Sequence, residues 1–162
     1  KEFFDIIIRL NSEGFNIGCC IAGNIEDENL RPFVDYLERL WFCEYLGHIE
    51  NVENFYAKID ILVFPSMREG FGMVALESSA SGVPVVAYDI HGVRDAIENN
   101  ITGKLIAPYN QNKFYEAIKL LCLDMDEINQ LGTAAFYNAK NNFDSNVIIS
   151  QHVKLVQEIF SE

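Results

Sequence analysis

A doubly wound α/β fold, a parallel sheet with helices on both faces, is what three features of this 162-residue sequence predict. Strand-like and helix-like segments alternate along the chain, the order that builds a parallel sheet. Short, uninterrupted apolar runs such as 61–64 and 85–88 read as strands buried on both faces. Glycines follow several of these runs, at the carboxyl edge where an open sheet turns into its helices and binds ligands.

Taken in order, residues 1–13 put Phe3, Phe4, Ile6, Ile7 and Leu10 at helical spacing, and Gly14 terminates that helix. Residues 16–22 are a continuous apolar strand, with Gly23-Asn24 turning at its carboxyl end. Residues 27–40 read as an amphipathic helix with Leu30, Phe33, Val34, Leu37 and Leu40 inward. Strand 41–46 follows, with Gly47-His48-Ile49 at its carboxyl edge, and then a short helix over 52–58. The central strand, 61–64, is stopped by Pro65 and Ser66; Gly70 and Gly72 then bracket a tight turn. A helix over about 72–81 stops at Gly82, with Pro84 just beyond, and 85–88 is the next strand. The turn 89–92, a helix over 93–98 and a strand over 102–106 come next. Helices over 112–122, 128–141 and 146–160 close the chain. The aromatic residues Phe3, Phe4, Phe33, Phe55 and Phe114 fall on apolar helical faces and are expected in the core. No repeat, linker or low-complexity tract interrupts this order, and the length suits one ordinary domain.

Composition narrows the function. A hydrophobic fraction of 49% and a charged fraction of 22% are those of a globular protein. The formal net charge of −12 argues against nucleic acid or an anionic membrane as the main partner. Phosphate binding must then come from backbone dipoles and a few placed cations. No apolar run reaches the roughly 18 residues that cross a bilayer, and no signal peptide opens the chain. The expected location is cytoplasmic, with any peripheral contact to the inner membrane face made by a domain outside this chain. Cys19, Cys20, Cys43 and Cys122 lack Cys-x-x-Cys spacing and are expected as thiols in a reducing compartment.

The chemistry concentrates on 62–88. Glu69 lies in the turn and Glu77 within the following helix. Helical side chains lean toward the N-terminus, so Glu77 can reach back toward Glu69. A helix start favours anions, but a carboxylate facing a diphosphate is repelled, so both glutamates suit hydroxyl groups instead. A ligand with central phosphates and hydroxyl-rich rings at its ends fits, and nucleotide sugars have that layout. Asp124-Met125-Asp126 has a metal-binding pattern but lies between two late helices, where capping explains it better. No metal is expected. Asn100-Ile101-Thr102 matches a glycosylation sequon and is expected to be an unused turn. The Gly-x-Gly-x-x-Gly of dinucleotide domains is missing.

Pro65-Ser66, Glu69-Gly70-Phe71-Gly72, Glu77 and Ser81-Gly82-Val83-Pro84-Val85-Val86 together resemble the signature of the group 1 retaining glycosyltransferases of GT-B architecture. The likeness extends to Leu46-Gly47-His48-Ile49 and to Thr102-Gly103-Lys104-Leu105-Ile106. It implies that 1–162 is a Rossmann-like, nucleotide-sugar donor-binding domain, one half of a GT-B enzyme. The first strand and the acceptor domain would lie outside this chain, which alone would bind donor but transfer sugar poorly. In the family an Arg and then a Lys face the diphosphate; Lys1 stands at the place of that Lys, with Glu2 where the family has glycine. The resemblance makes Glu69 and Lys1 the catalytic candidates, Glu69 holding the sugar and stabilising positive charge on its ring. Glu77 would grip the ribose, and Gly70, Phe71, Gly72, Met73 and Val74 would form the diphosphate turn. Gly23 and Asn24 join the donor site. Gly47, His48 and Ile49 would hold the base through backbone groups and one aliphatic contact. His48 by itself reads as a solvent-facing loop residue, since no Ser or Cys nucleophile motif accompanies it. The implied activity is metal-independent transfer of a hexosyl-type sugar, with retention, to a glycan, lipid or other hydroxyl acceptor, as in polysaccharide biosynthesis. A sugar phosphorylase, a nucleotide-sugar epimerase or a non-catalytic nucleotide-sugar-binding domain on the same scaffold are the alternatives.

Overall fold

Residues 2–25 and 27–160 are described in the computed structural model, and the chain divides after residue 59 into two compact units. Both are built from parallel strands and helices, the α/β, Rossmann-like class that the strand–helix alternation predicts.

In the first unit, α1 (Glu2–Ser12) buries Ile6, Ile7 and Leu10, and the chain reverses at Gly14 as the Phe15 N–H bonds back to the Leu10 carbonyl at 3.1 Å. Strand β1 (Cys19–Ala22) pairs in parallel with β2 (Cys43–Gly47), Cys19 opposite Cys43 and Ile21 opposite Tyr45, before the register slips at Ala22. Between them, a 3-10 turn (Glu28–Leu30) capped by Asp27 leads into α2 (Arg31–Leu37). Helix α3 (Val52–Tyr56) starts at Asn51, whose side chain accepts the Asn54 N–H at 2.9 Å.

Two elements of this unit are shorter than their apolar runs. Residues 16–18 stay irregular because Asn11 of α1 takes the Ile17 carbonyl with its side-chain amide. Trp41 and Phe42 form a turn instead of strand, the Cys43 N–H returning to the Leu40 carbonyl. The helix expected over 27–40 breaks where Pro32, lacking an N–H, occupies the first turn of α2. Leu30 therefore falls out of helical phase and is exposed, while Val34 and Leu37 are buried as the pattern predicts. Phe3, Phe4, Phe33 and Phe55 are half-buried, and Tyr56, next to Phe55, is the buried aromatic of α3.

In the second unit, β3 (Leu62–Phe64), β4 (Val85–Tyr88) and β5 (Gly103–Ile106) form a parallel sheet in that order. All four residues of β4 are fully buried. Successive strand side chains point to opposite faces, so both faces of the sheet are covered. Helix α4 (Met73–Ala80) packs against β3, β4 and α7 (Met125–Asn142), and α6 (Gln111–Leu123) packs on β4 and β5, setting Phe114 4.8 Å from Tyr88. The short α5 (Val93–Ala96) joins β4 to β5. Two serines in the core are satisfied locally: Ser78 donates to the Val83 carbonyl and Ser79 to the Ala75 carbonyl, each at 2.9 Å. Asp124 caps α7 by accepting the Glu127 N–H. Helix α8 (Ser145–Phe160) buries none of its side chains.

Candidate functional site

The expected site residues fall in both units. In the first, they gather at the carboxyl edge of the two strands. The Gly23 N–H donates to the Gly47 carbonyl at 2.7 Å, stitching the turn after β1 to the end of β2. The Tyr45 hydroxyl donates to the Gly23 carbonyl at 2.8 Å, a tie that the apolar strand pattern does not announce. Asn24 and His48 are exposed beside this clasp, and Ile49 is half-buried. The structure thus brings Gly23, Asn24, Gly47, His48 and Ile49 together within one unit. Lys1 lies outside the described residues.

In the second unit, β3 ends at Phe64, and Pro65 and Ser66 carry the chain out at its carboxyl end. The Ser66 hydroxyl donates to Glu69 Oε1 at 2.7 Å and accepts a long bond from the Arg68 N–H at 3.5 Å. Glu69 is half-buried and held in one orientation by a residue three positions earlier. Sequence reasoning includes Ser66 only as part of a motif; its spacing to Glu69 is that of a side-chain-closed turn, and that is the signal available.

After Glu69, Gly70 has open space where a side chain would be, and Phe71 is anchored edge-on to Phe143 at 5.9 Å. Gly72 begins α4 with φ 69°, and a side chain there would meet the Val93 Cα at 3.3 Å. Only glycine combines that left-handed backbone with that approach. Gly72 supplies no side-chain cap, and no acidic residue stands in the first turn of α4. Met73 and Val74, in that turn, are exposed. Glu77, one turn further on, is half-buried.

One support leaves no mark in the sequence. The loop between β4 and α5 leans on the Glu69–Gly70 turn. Gly92, at φ 91°, has no room for a Cβ, which would collide with the Gly70 carbonyl. Asp89 and Arg94 close the same loop with an exposed pair at 2.7 Å, which holds the guanidinium proton more firmly than usual. The glycine in the turn 89–92 was legible, but its partner was not.

These elements set a fixed carboxylate, a helix start without a side-chain cap and a second carboxylate in sequence on one β-turn-α unit. A helix start offers backbone N–H groups and the positive end of the dipole to an anion. The carboxylates accept hydrogen bonds from hydroxyls.

Known proteins share this arrangement of chain. The family model "Glycosyl transferases group 1" matches residues 5–137. The capsular polysaccharide biosynthesis glycosyltransferase CapM of Staphylococcus aureus is 30% identical over 149 residues, covering 91% of this chain and 38% of CapM. Two crystal structures show the same fold. TarM of S. aureus superposes with a TM-score of 0.82 at 22% identity, over 94% of this chain and 31% of TarM. HepE of Anabaena, solved in complex with UDP and glucose, gives 0.80 at 20% identity, over 96% of this chain and 44% of HepE. The chain thus spans less than half the length of each. With more than three quarters of its residues inside the family match, and the same fold throughout, the chain belongs to the group 1 glycosyltransferases.

Proposed function

We propose that this chain binds a nucleoside diphosphate sugar as the donor half of a retaining, metal-independent glycosyltransferase. The enzyme passes a hexosyl-type sugar to a hydroxyl of a glycan or lipid acceptor. The observation that carries the reading is the 2.7 Å hydrogen bond fixing Glu69 four residues before Met73, the first residue of α4. A preoriented carboxylate next to an anion-favouring helix start suits a ligand that pairs a sugar ring with a diphosphate. The UDP and glucose bound by HepE have this chemistry, and CapM is named for polysaccharide synthesis.

In this mechanism the bond from the anomeric carbon to the diphosphate oxygen breaks, and its electron pair leaves with the phosphate. The first turn of α4, at Met73 and Val74, stabilises the departing charge. Glu69 accepts hydrogen bonds from sugar hydroxyls and stabilises the positive charge developing on the ring. The acceptor oxygen attacks from the face the diphosphate leaves, and its proton passes to the leaving phosphate. Glu77 binds the ribose hydroxyls. The clasp at Gly23 and Gly47, with Asn24, His48 and Ile49, serves the nucleoside. The acceptor is bound by residues outside this chain.

The test is product analysis with the full-length protein and a panel of UDP-, GDP- and ADP-sugars in excess EDTA. Transfer continues under chelation, and the product keeps the donor's anomeric configuration by NMR. An inverted product, or activity lost to EDTA and restored by magnesium or manganese, overturns the mechanism. Sugar phosphate formed from inorganic phosphate identifies a phosphorylase instead.

A further inference from the structure

The amino edge of β1 and β2 carries a cavity of about 460 Å³, lined by the end of α1, the loop that follows it, α2 and the turn before β2. It lies at the opposite end of the strands from the Gly23–Gly47 clasp, a strand's length away within the same unit. Nothing in the proposed donor chemistry uses it.

Its lining is amphipathic and uncharged. Trp41 stands 81% exposed, perpendicular to Phe42, with ring centroids 5.6 Å apart. It is the only tryptophan of the chain. Tyr36 is half exposed, and Phe15 contributes a fourth ring. Polar groups stand among the rings. Asn11 spends its amide protons on the Ile7 and Ile17 carbonyls, both at 3.1 Å, which fixes the loop and leaves its side-chain oxygen as an acceptor. Ser12 and the exposed Asn16 complete the polar side.

We propose that this cavity is a second carbohydrate site, which holds a neutral segment of the glycan that the enzyme extends. A pyranose ring has an apolar face of C–H groups and a rim of hydroxyls. The first stacks on an aromatic face, whose quadrupole is negative; the second bonds to amides and hydroxyls. Charge selects the occupant further. No Asp, Glu, Lys, Arg or His lines the cavity, so no side chain there pairs a charged ligand. A net charge of −12 disfavours a polyanion at any exposed site. A hydrocarbon chain alone would desolvate the Asn11 side-chain oxygen without giving it a partner. The occupant's identity rests on the glycosyltransferase reading above. Retaining the polymer at a site remote from the chemistry raises the concentration of its growing end near the enzyme.

Affinity electrophoresis of the full-length protein tests this, in native gels containing dextran, galactomannan, soluble starch or hyaluronate. The wild type is slowed by at least one neutral polysaccharide and not by hyaluronate. Trp41→Ala weakens that retardation about tenfold or more, the order seen when an aromatic anchor is truncated. Trp41→Phe restores much of it, and Tyr36→Ala weakens it by less. Calorimetry with UDP, GDP and ADP is run on the same samples. Nucleotide binding unchanged in the Trp41 variants, together with lost glycan retention, supports the proposal. Nucleotide binding without glycan retention, or retention indifferent to Trp41→Ala, overturns it and leaves the donor reading intact. Absence of nucleotide binding in the wild type overturns the donor reading instead. Sedimentation with phosphatidylcholine or phosphatidylglycerol vesicles that is lost in Trp41→Ala makes the cavity a membrane contact and also overturns the proposal.

Discussion

At the residue scale, the candidate site depends on hydrogen bonds to carboxylates. Ser66 holds Glu69 at 2.7 Å, and a hydrogen bond to a charged acceptor contributes about 1.5–3 kcal/mol. In the full-length enzyme Ser66→Ala should lower kcat by about ten- to a hundredfold while leaving nucleoside diphosphate affinity unchanged. Ser66→Thr keeps the hydroxyl and should restore much of the rate. Equal losses in both variants would mean that the serine only packs. The cysteines make a second residue-scale prediction. All four are free thiols, and burial pushes Cys19, Cys20, Cys43 and Cys122 up from their ordinary value. The folded chain keeps these protons while unfolded thiols, near about pH 8.5, lose theirs. Stability is therefore fully present below about pH 8 and declines as pH rises above it. Urea midpoints measured from about pH 7 to pH 9.5 should fall over the upper half, and a flat profile would contradict the burial.

Elements set how much of this was legible. Strand 85–88 is legible to the residue, because Gly82 and Pro84 on one side and a turn on the other bound four apolar positions rich in valine. Glu69, Gly72 and Glu77 could be placed because a strand stop, a positive-φ glycine and a helix leave separate marks in sequence. The Ser66–Glu69 bond leaves only its three-residue spacing as a mark and the Tyr45–Gly23 bond leaves none, since a hydroxyl's partner depends on side-chain rotamers that no periodicity encodes. Nor could the contact between the 89–92 loop and the Glu69–Gly70 turn, which joins segments about twenty residues apart. Strand 16–22 was overextended because apolar residues suggest strand even where a single asparagine amide claims the backbone. The hidden contact is testable. Gly92→Ala must relieve both a positive φ and a collision with the Gly70 carbonyl, at a cost of about 1–3 kcal/mol or more. Thermal melts should show that loss, and nucleotide-sugar binding should fall beyond what the fraction folded explains. A stable variant with unchanged donor affinity would show that the loop is not a support.

At the scale of the whole molecule, the chain belongs to a sugar-transferring family, and its two units hold different parts of the expected donor chemistry. Among the described residues no helix is long and apolar enough to cross a membrane. If Glu77 and Glu69 serve different parts of one ligand, the ribose and the sugar, their losses should separate. Calorimetry on the full-length protein, with a nucleoside diphosphate and then its sugar conjugate, separates them. Glu77→Gln should weaken the nucleoside diphosphate itself, by on the order of ten- to a hundredfold. Glu69→Gln should leave that affinity nearly unchanged and lower turnover instead, since charge builds on the ring only near the transition state. Melts must first establish that both variants are folded. If folded Glu77→Gln binds the diphosphate like wild type, the ribose role is contradicted. If Glu69→Gln also turns over normally, the two carboxylates are structural and the account of the site fails.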